Sequence, residues 1–176
     1  MSTIGFDTSN YTTSTAWTDG KTDINVRQIL YVKDGERGIR QSDGVFQHMK
    51  LMPVMYEKLS EQIDFKDVKA VGVSTRPRCV EGSYMPVFLA GEGYAKVVAN
   101  TVGVPLYEFS HQDGHIMAGI YSSGSFELLE NDFISVHLSG GTTEILKSRY
   151  NGFNFDNEII GGSKDISAGQ FIDRVG

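Results

Sequence analysis

Two histidines four residues apart, His111 and His115, stand in the stretch FSHQDGH (residues 109–115), with a glycine just before the second. On a helix that spacing turns both imidazoles to one side, the arrangement by which helical histidines share a metal. Two imidazoles are not a complete site, and the other histidines, His48 and His137, have no sequence reason to converge on them. The zinc-peptidase pattern H-E-x-x-H is absent, because Gln112 occupies the place of the glutamate base. Ser110 and Asp113 form a capping-box-like pair, so the same stretch also reads as a helix start that carries histidines. The residues alone leave both readings open.

Two bends could face a phosphate. LSGGTTE (138–144) sets Ser139, Gly140, Gly141 and Thr142 at a turn where no side chain blocks the backbone N–H groups. Taken alone it is equally a plain glycine turn. DTSNYTT (7–13) is its counterpart, with Asp7 at a strand end. A carboxylate there can hold a cation or its waters near a phosphate, or cap its own turn. In KDISAGQFIDRVG (164–176), a helix from Asp165 would align Asp165, Gly169 and Asp173 on one face, with Ile166, Ile172 and Val175 on the buried side. Asp165 is placed to act as its N-cap.

The elements that must position these groups follow from hydrophobic period. Strands are expected at 3–6, 12–17 and 25–31. Val45, Met49, Met52, Tyr56, Leu59 and Ile63 then recur at helical steps, with Pro53 set to kink or break the helix. A buried strand over 68–74, a helix over 85–102 and a strand over 104–109 complete an α/β layer. Beyond them lie strands at 133–138 and 143–147 and a short apolar run at 159–162. IGFDTSNYTTSTA and ISVHLSGGTTEIL share one plan, strand, small polar turn, Thr-Thr, strand, about 130 residues apart. That spacing is domain scale, longer than solenoid repeats. A duplicated, hairpin-led α/β domain is the build of actin-like and sugar-kinase-like folds (ribonuclease H-like), which hold ligands between their halves. The expected division is 1–120 for a first, actin-like ATPase-type subdomain and 121–176 for the start of a second. The second is short, so the chain reads as an N-terminal fragment.

Composition narrows the function. With 40% hydrophobic and 22% charged residues, the chain is globular and long enough to bury a core. Its one cysteine, Cys79, cannot form an internal disulfide, which suits a reducing, cytoplasmic setting. No apolar run reaches membrane-spanning length. At net charge −6 and with no Lys/Arg cluster, the chain lacks the basic face of a protein that grips nucleic acid unaided.

In this order the pieces resemble the TsaD, or glycoprotease-like, family of tRNA N6-adenosine threonylcarbamoyltransferases. IGFDTSNYTTS is similar to the family's first strand and bend, and HMKLMP (His48, Pro53) echoes a helix histidine and proline. HQDGH matches its metal motif His-x-x-Gly-His, LSGGTT its phosphate turn, and IGGSKDISAGQFIDRVG its Asp-rich helix. The resemblance implies that His111 and His115 bind one iron or zinc ion, with a third protein ligand that has no counterpart here. It implies that Ser139, Gly140, Gly141 and Thr142 face the phosphate of an adenylate (or ATP), that Asp173 contacts its ribose, and that Asp7 serves catalysis. The reaction implied is transfer of threonylcarbamoyl from the adenylate to N6 of adenosine in tRNA. The tRNA would be held through other subunits or a part of the protein outside this chain, alongside pathway partners of the same fold and with dimerisation a further expectation.

The chain also departs from the family. Its first bend has fewer acidic groups, Thr142 replaces a histidine, Gln170 replaces a glutamate, and Arg76, Arg78 and Glu81 stand where the family is small and apolar. These departures mark a diverged paralogue. The alternative reading is therefore a non-catalytic paralogue that binds nucleotide or serves as a dimerisation or scaffold partner. The fragment alone is expected to be inactive. A sugar-kinase-like ATPase would need an adenosine-binding part beyond residue 176. Peptidase chemistry is discounted for want of a glutamate base or a nucleophile–base pair.

Overall fold

A computed structural model describes residues 1–35, 38–138 and 142–175. The chain forms two compact units, Met1–Gly114 and His115–Gly176.

The first unit is a five-stranded sheet with two helices. Its strands are β1 (Ser2–Asp7), β2 (Thr12–Thr18), β3 (Asp23–Ile29), β4 (Val68–Arg76) and β5 (Leu106–Ser110), in the order β3-β2-β1-β4-β5. The first three form an antiparallel meander, while β4 runs parallel to β1 and β5 parallel to β4. Parallel neighbours require crossovers, and α1 (Gln41–Ser60) and α2 (Phe88–Val102) supply them. Alternation along β1 buries Ser2, Ile4 and Phe6 on one face. Ile4 and Phe6 share a core with Val71 and Val73 of β4, Met52 and Leu59 of α1, and Ala95 and Ala99 of α2. The carboxyl ends of β1, β4 and β5 therefore share one edge, the edge where α/β sheets hold ligands.

Three local expectations need correction. The buried stripe of α1 is Gly44, His48, Met52, Met55 and Leu59, rotated from the apolar stripe read in sequence. Gly44 and His48 are not apolar signals. Gly44 is buried because a Cβ there would lie 2.8 Å from Val87 Cγ1, and His48 because its Nδ1 meets Thr13 Oγ1 at 2.7 Å. Burial pushes the His48 imidazole below its ordinary pKa, partly offset by the Asn10 backbone and the charge of Asp7. Pro53 does not break α1. Proline removes the hydrogen bond to the carbonyl four residues back, that of Met49, and the Tyr94 hydroxyl donates to this carbonyl at 3.0 Å. Finally, α2 begins at Phe88 rather than near 85, two residues after Pro86.

The second unit holds the greater part of α3 (His111–Ser123), a sheet in the order β6-β7-β8 and a short helix, α4 (Ala168–Val175). Strands β6 (Phe133–Leu138), β7 (Thr143–Tyr150) and β8 (Phe155–Gly162) form an antiparallel meander like that of β1 to β3. A polar ladder crosses it: Ser135 and Ser148 hydroxyls meet at 2.8 Å, and Ser148 donates to Asn157 Oδ1 at 2.7 Å. The helix expected from Asp165 starts three residues later. Ser167 and Gln170 form a reciprocal capping box: the Gln170 N–H donates to Ser167 Oγ at 3.2 Å, and the Ser167 N–H to Gln170 Oε1 at 3.3 Å. The Ala168 N–H also donates to Thr143 Oγ1 at 2.7 Å. Asp165 thus precedes the helix and neither caps it nor shares a helical face with Asp173. Ile172 and Val175, expected on a buried side, are 67% and 71% exposed. Among the described residues no helix is long and apolar enough to cross a membrane.

Candidate metal and nucleotide site

The start of α3 is built as the Ser110–Asp113 pair predicts. Asp113 Oδ2 accepts from the Ser110 N–H at 2.9 Å and its hydroxyl at 2.6 Å, and the Asp113 N–H donates back to Ser110 Oγ at 3.1 Å. Both residues are buried, and the Gln112 N–H donates to the Pro77 carbonyl at 3.0 Å. The first turn of α3 is therefore fixed to the carboxyl ends of β4 and β5.

This anchoring places His111 against Asp7. His111 Nδ1 lies 2.9 Å from Asp7 Oδ2. The other oxygen of Asp7, Oδ1, accepts from the Ser9 N–H at 2.8 Å and from its hydroxyl at 2.5 Å. Asp7 thus does both things its position allows, capping its own turn and holding a group from another element. Burial pushes its carboxyl up, but the His111 hydrogen bond and charge, with hydrogen bonds from Ser74 and Ser9, outweigh that and bring it from 3.8 to about 2. Asp7 is ionised at neutral pH and can only accept, so His111 carries its proton on Nδ1 and its lone pair on Nε2. A carboxylate behind an imidazole in this way orients metal-ligating histidines.

In the second unit, His115 faces His137 of β6. Their ring centroids are 5.8 Å apart and their planes are near perpendicular, at 88°. The pair lines a half-open cleft of about 260 Å³ whose other walls include Ile120, Phe133, Ser135 and Leu146. The expectation that nothing in the sequence draws His137 toward the helical histidines is overturned by this contact. The missed signal is register: Asp7 and His137 hold the same place in the two similar hairpin sequences.

Of the nucleotide residues, Ser139, Gly140 and Gly141 lie outside the described residues. Thr142 is half-buried, and Asp173 is exposed on α4. Downstream of the turn, Thr143 ties the first strand residue of β7 to the amino end of α4. Among the described residues, no three His, Cys, Asp or Glu side chains gather closely enough to hold a metal ion. The donor chemistry still fits one. Imidazoles are general ligands for zinc and iron, and the Asp7 carboxylate presets one of them.

Comparison with known proteins gives one consistent family. The model of the family TsaD, tRNA N6-adenosine threonylcarbamoyltransferase, matches residues 36–176. A tRNA N6-adenosine threonylcarbamoyltransferase of Christiangramia forsetii is 31% identical over 126 residues, covering 70% of this chain and 34% of that protein. One of Pyrobaculum calidifontis is 27% identical over 173 residues, covering 97% and 47%. The chain thus spans about a third to a half of the length of these relatives. Among solved structures, YeaZ from Pseudomonas aeruginosa superposes with a TM-score of 0.55 at 10% identity, over 93% of this chain and 68% of that one. At that identity the likeness is one of fold, the actin-like α/β class expected from the paired hairpins.

Proposed function

The chain belongs to the tRNA N6-adenosine threonylcarbamoyltransferase family, and from that membership we propose that it serves threonylcarbamoyl transfer to N6 of adenosine in tRNA, with one iron or zinc ion held through His111 and His115. The observation that carries the proposal is the Asp7–His111 hydrogen bond, 2.9 Å long and anchored at the carboxyl edge of the first sheet. In the transfer, the N6 nitrogen bonds to the carbamoyl carbon, the bond from that carbon to the adenylate oxygen breaks, AMP leaves with the electron pair, and N6 gives up a proton. When bound, the ion would supply Lewis acidity to the carbonyl under attack.

The chain's own residues prepare this. Asp7 is a positioning residue that fixes the His111 tautomer. Ser139, Gly140, Gly141 and Thr142 would face the adenylate phosphate, and Asp173 the ribose. The capping box of α4 and its tie to Thr143 hold that helix beside the downstream end of the turn. Binding of tRNA would fall to other subunits or to a part of the protein outside this chain, alongside partner proteins of the same fold in the cytoplasm, and this chain alone would be inactive.

The second reading is a non-catalytic paralogue that binds nucleotide and a partner or second copy. It is favoured by α4, whose Phe171, Ile172 and Val175 are all more than half exposed. Metal content separates the two. Tag-free protein reconstituted anaerobically with iron or zinc should retain about one equivalent, and His111→Ala should lose it. Failure of the unaltered chain to retain either ion would remove the catalytic reading, leaving adenylate binding by calorimetry to support the second.

A further inference from the structure

We propose that His137 is a ligand of the same metal ion as His115, so that β6 contributes an imidazole to the site. This rests on the metal reading above.

The inference starts from how β6 distributes its side chains. Ile134, Val136 and Leu138 are 58%, 59% and 63% exposed, while Phe133, Ser135 and His137 take the half-buried face. The strand turns its apolar side chains to solvent and its one imidazole toward the imidazole of His115, against the usual sense of amphipathic burial. The separation suits co-ligation. A ring nitrogen bonds zinc at about 2.0–2.1 Å, which puts each ring centroid roughly 3.2 Å from the ion and two centroids roughly 5–6 Å apart at tetrahedral or wider angles. The observed separation is 5.8 Å. The cleft beside the pair leaves room for a further ligand, as a site that must admit substrate requires.

His137 also takes the place in its hairpin that Asp7 takes in the first. Asp7 pairs across its hairpin with Ser14, and His137 with Glu144, each 130 residues further on. At that place the first hairpin meets His111 with an acceptor, and the second meets His115 with another metal donor.

The test uses tag-free protein and Co(II), read by its visible absorption and by competition with a chromophoric chelator. His137→Leu keeps the bulk against His115 and removes the nitrogens; His137→Gln serves as the second variant should the leucine protein melt early. The unaltered chain should bind Co(II), and both His115→Ala and a folded His137 variant should bind roughly 100-fold more weakly, with a changed spectrum. If His115→Ala loses the metal while His137→Leu and His137→Gln keep the affinity and spectrum of the unaltered chain, the role of His137 is refuted and the metal reading stands. If the unaltered chain takes up no Co(II), both fall.

Discussion

The hairpins β1–β2 and β6–β7 run in the same register 130 residues apart, yet they bury different residues and offer α3 different chemistry. In the first, Thr8, Thr13 and Thr15 are fully buried, and the hairpin continues into a sheet flanked by two crossover helices. In the second, the residue that aligns with Thr8 is Leu138, which is 63% exposed, and the sheet ends after three strands. The end of the first strand carries a polar residue in both, Asp7 in one and, a residue short of the end, His137 in the other. The repeated scaffold fixes a place beside α3, and the identity of the residue there decides whether that place orients a ligand or supplies one.

The largest effect should come from breaking the difference in burial. Thr8 Oγ1 donates to the Val87 carbonyl at 2.8 Å and accepts from the Gly91 N–H at 3.0 Å, which joins the first bend to the start of α2. Gly91 is glycine because a Cβ there would lie 2.9 Å from that hydroxyl oxygen. Thr8→Ala leaves two buried backbone groups unmatched and should cost about 2–3 kcal/mol in urea unfolding. Leu138→Ala at the aligned position should stay within about 0.5 kcal/mol. Equal losses would mean the two bends are equally structural.

Next in size is the charge on Asp7. Its folded pKa of about 2 lies below the unfolded 3.8, so the unfolded chain binds the proton first as pH falls. The stabilisation, about 2 kcal/mol, is fully present above pH 4 and is lost as pH drops toward 2. Asp7→Asn should therefore lower the unfolding free energy at pH 6 by about that amount, with the deficit shrinking by pH 3. A deficit that does not change with pH would show that packing, not the carboxylate, is what Asp7 contributes.

What the sequence made legible follows the physics of each signal. Strands β1, β2, β6 and β7 were readable from alternation, and the α3 cap from the Ser110–Asp113 spacing. The buried face of α1 was not, because it runs through a glycine and a histidine whose burial depends on Val87 and Thr13, partners 43 and 35 residues away. Pro53 was read as a break because its compensation, the Tyr94 hydroxyl, comes from another helix. The start of α4 was misplaced because Asp165 and Ser167 both suit an N-cap, and the choice fell to the residue with a glutamine three positions on. For the site, the spacing of His111 and His115 gave the helix face, but Asp7 and His137 reach them through sheet pairing. Hairpin register was the only sequence trace of that, and it becomes informative only once the two hairpins are aligned residue by residue.

The smallest effect concerns how each hairpin holds a helix through the second threonine of its Thr-Thr pair. Thr13 meets the His48 imidazole of α1, and Thr143 accepts from the first N–H of α4. Thr143→Val removes one hydrogen bond at a helix start and should cost about 1 kcal/mol, seen as faster amide exchange confined to 168–175. That loss should be the same at pH 5 and pH 7, since neither partner titrates there. The Thr13 contact differs, because the folded pKa of His48 lies below its ordinary 6.5. The unfolded chain then takes up the proton first, so stability is full above pH 6.5 and declines as pH falls below it. His48→Gln should reduce that slope between pH 7 and 5 in the first unit and leave exchange in α4 untouched. A slope that survives the substitution would assign the pH response to another group and remove the contrast between the two threonines.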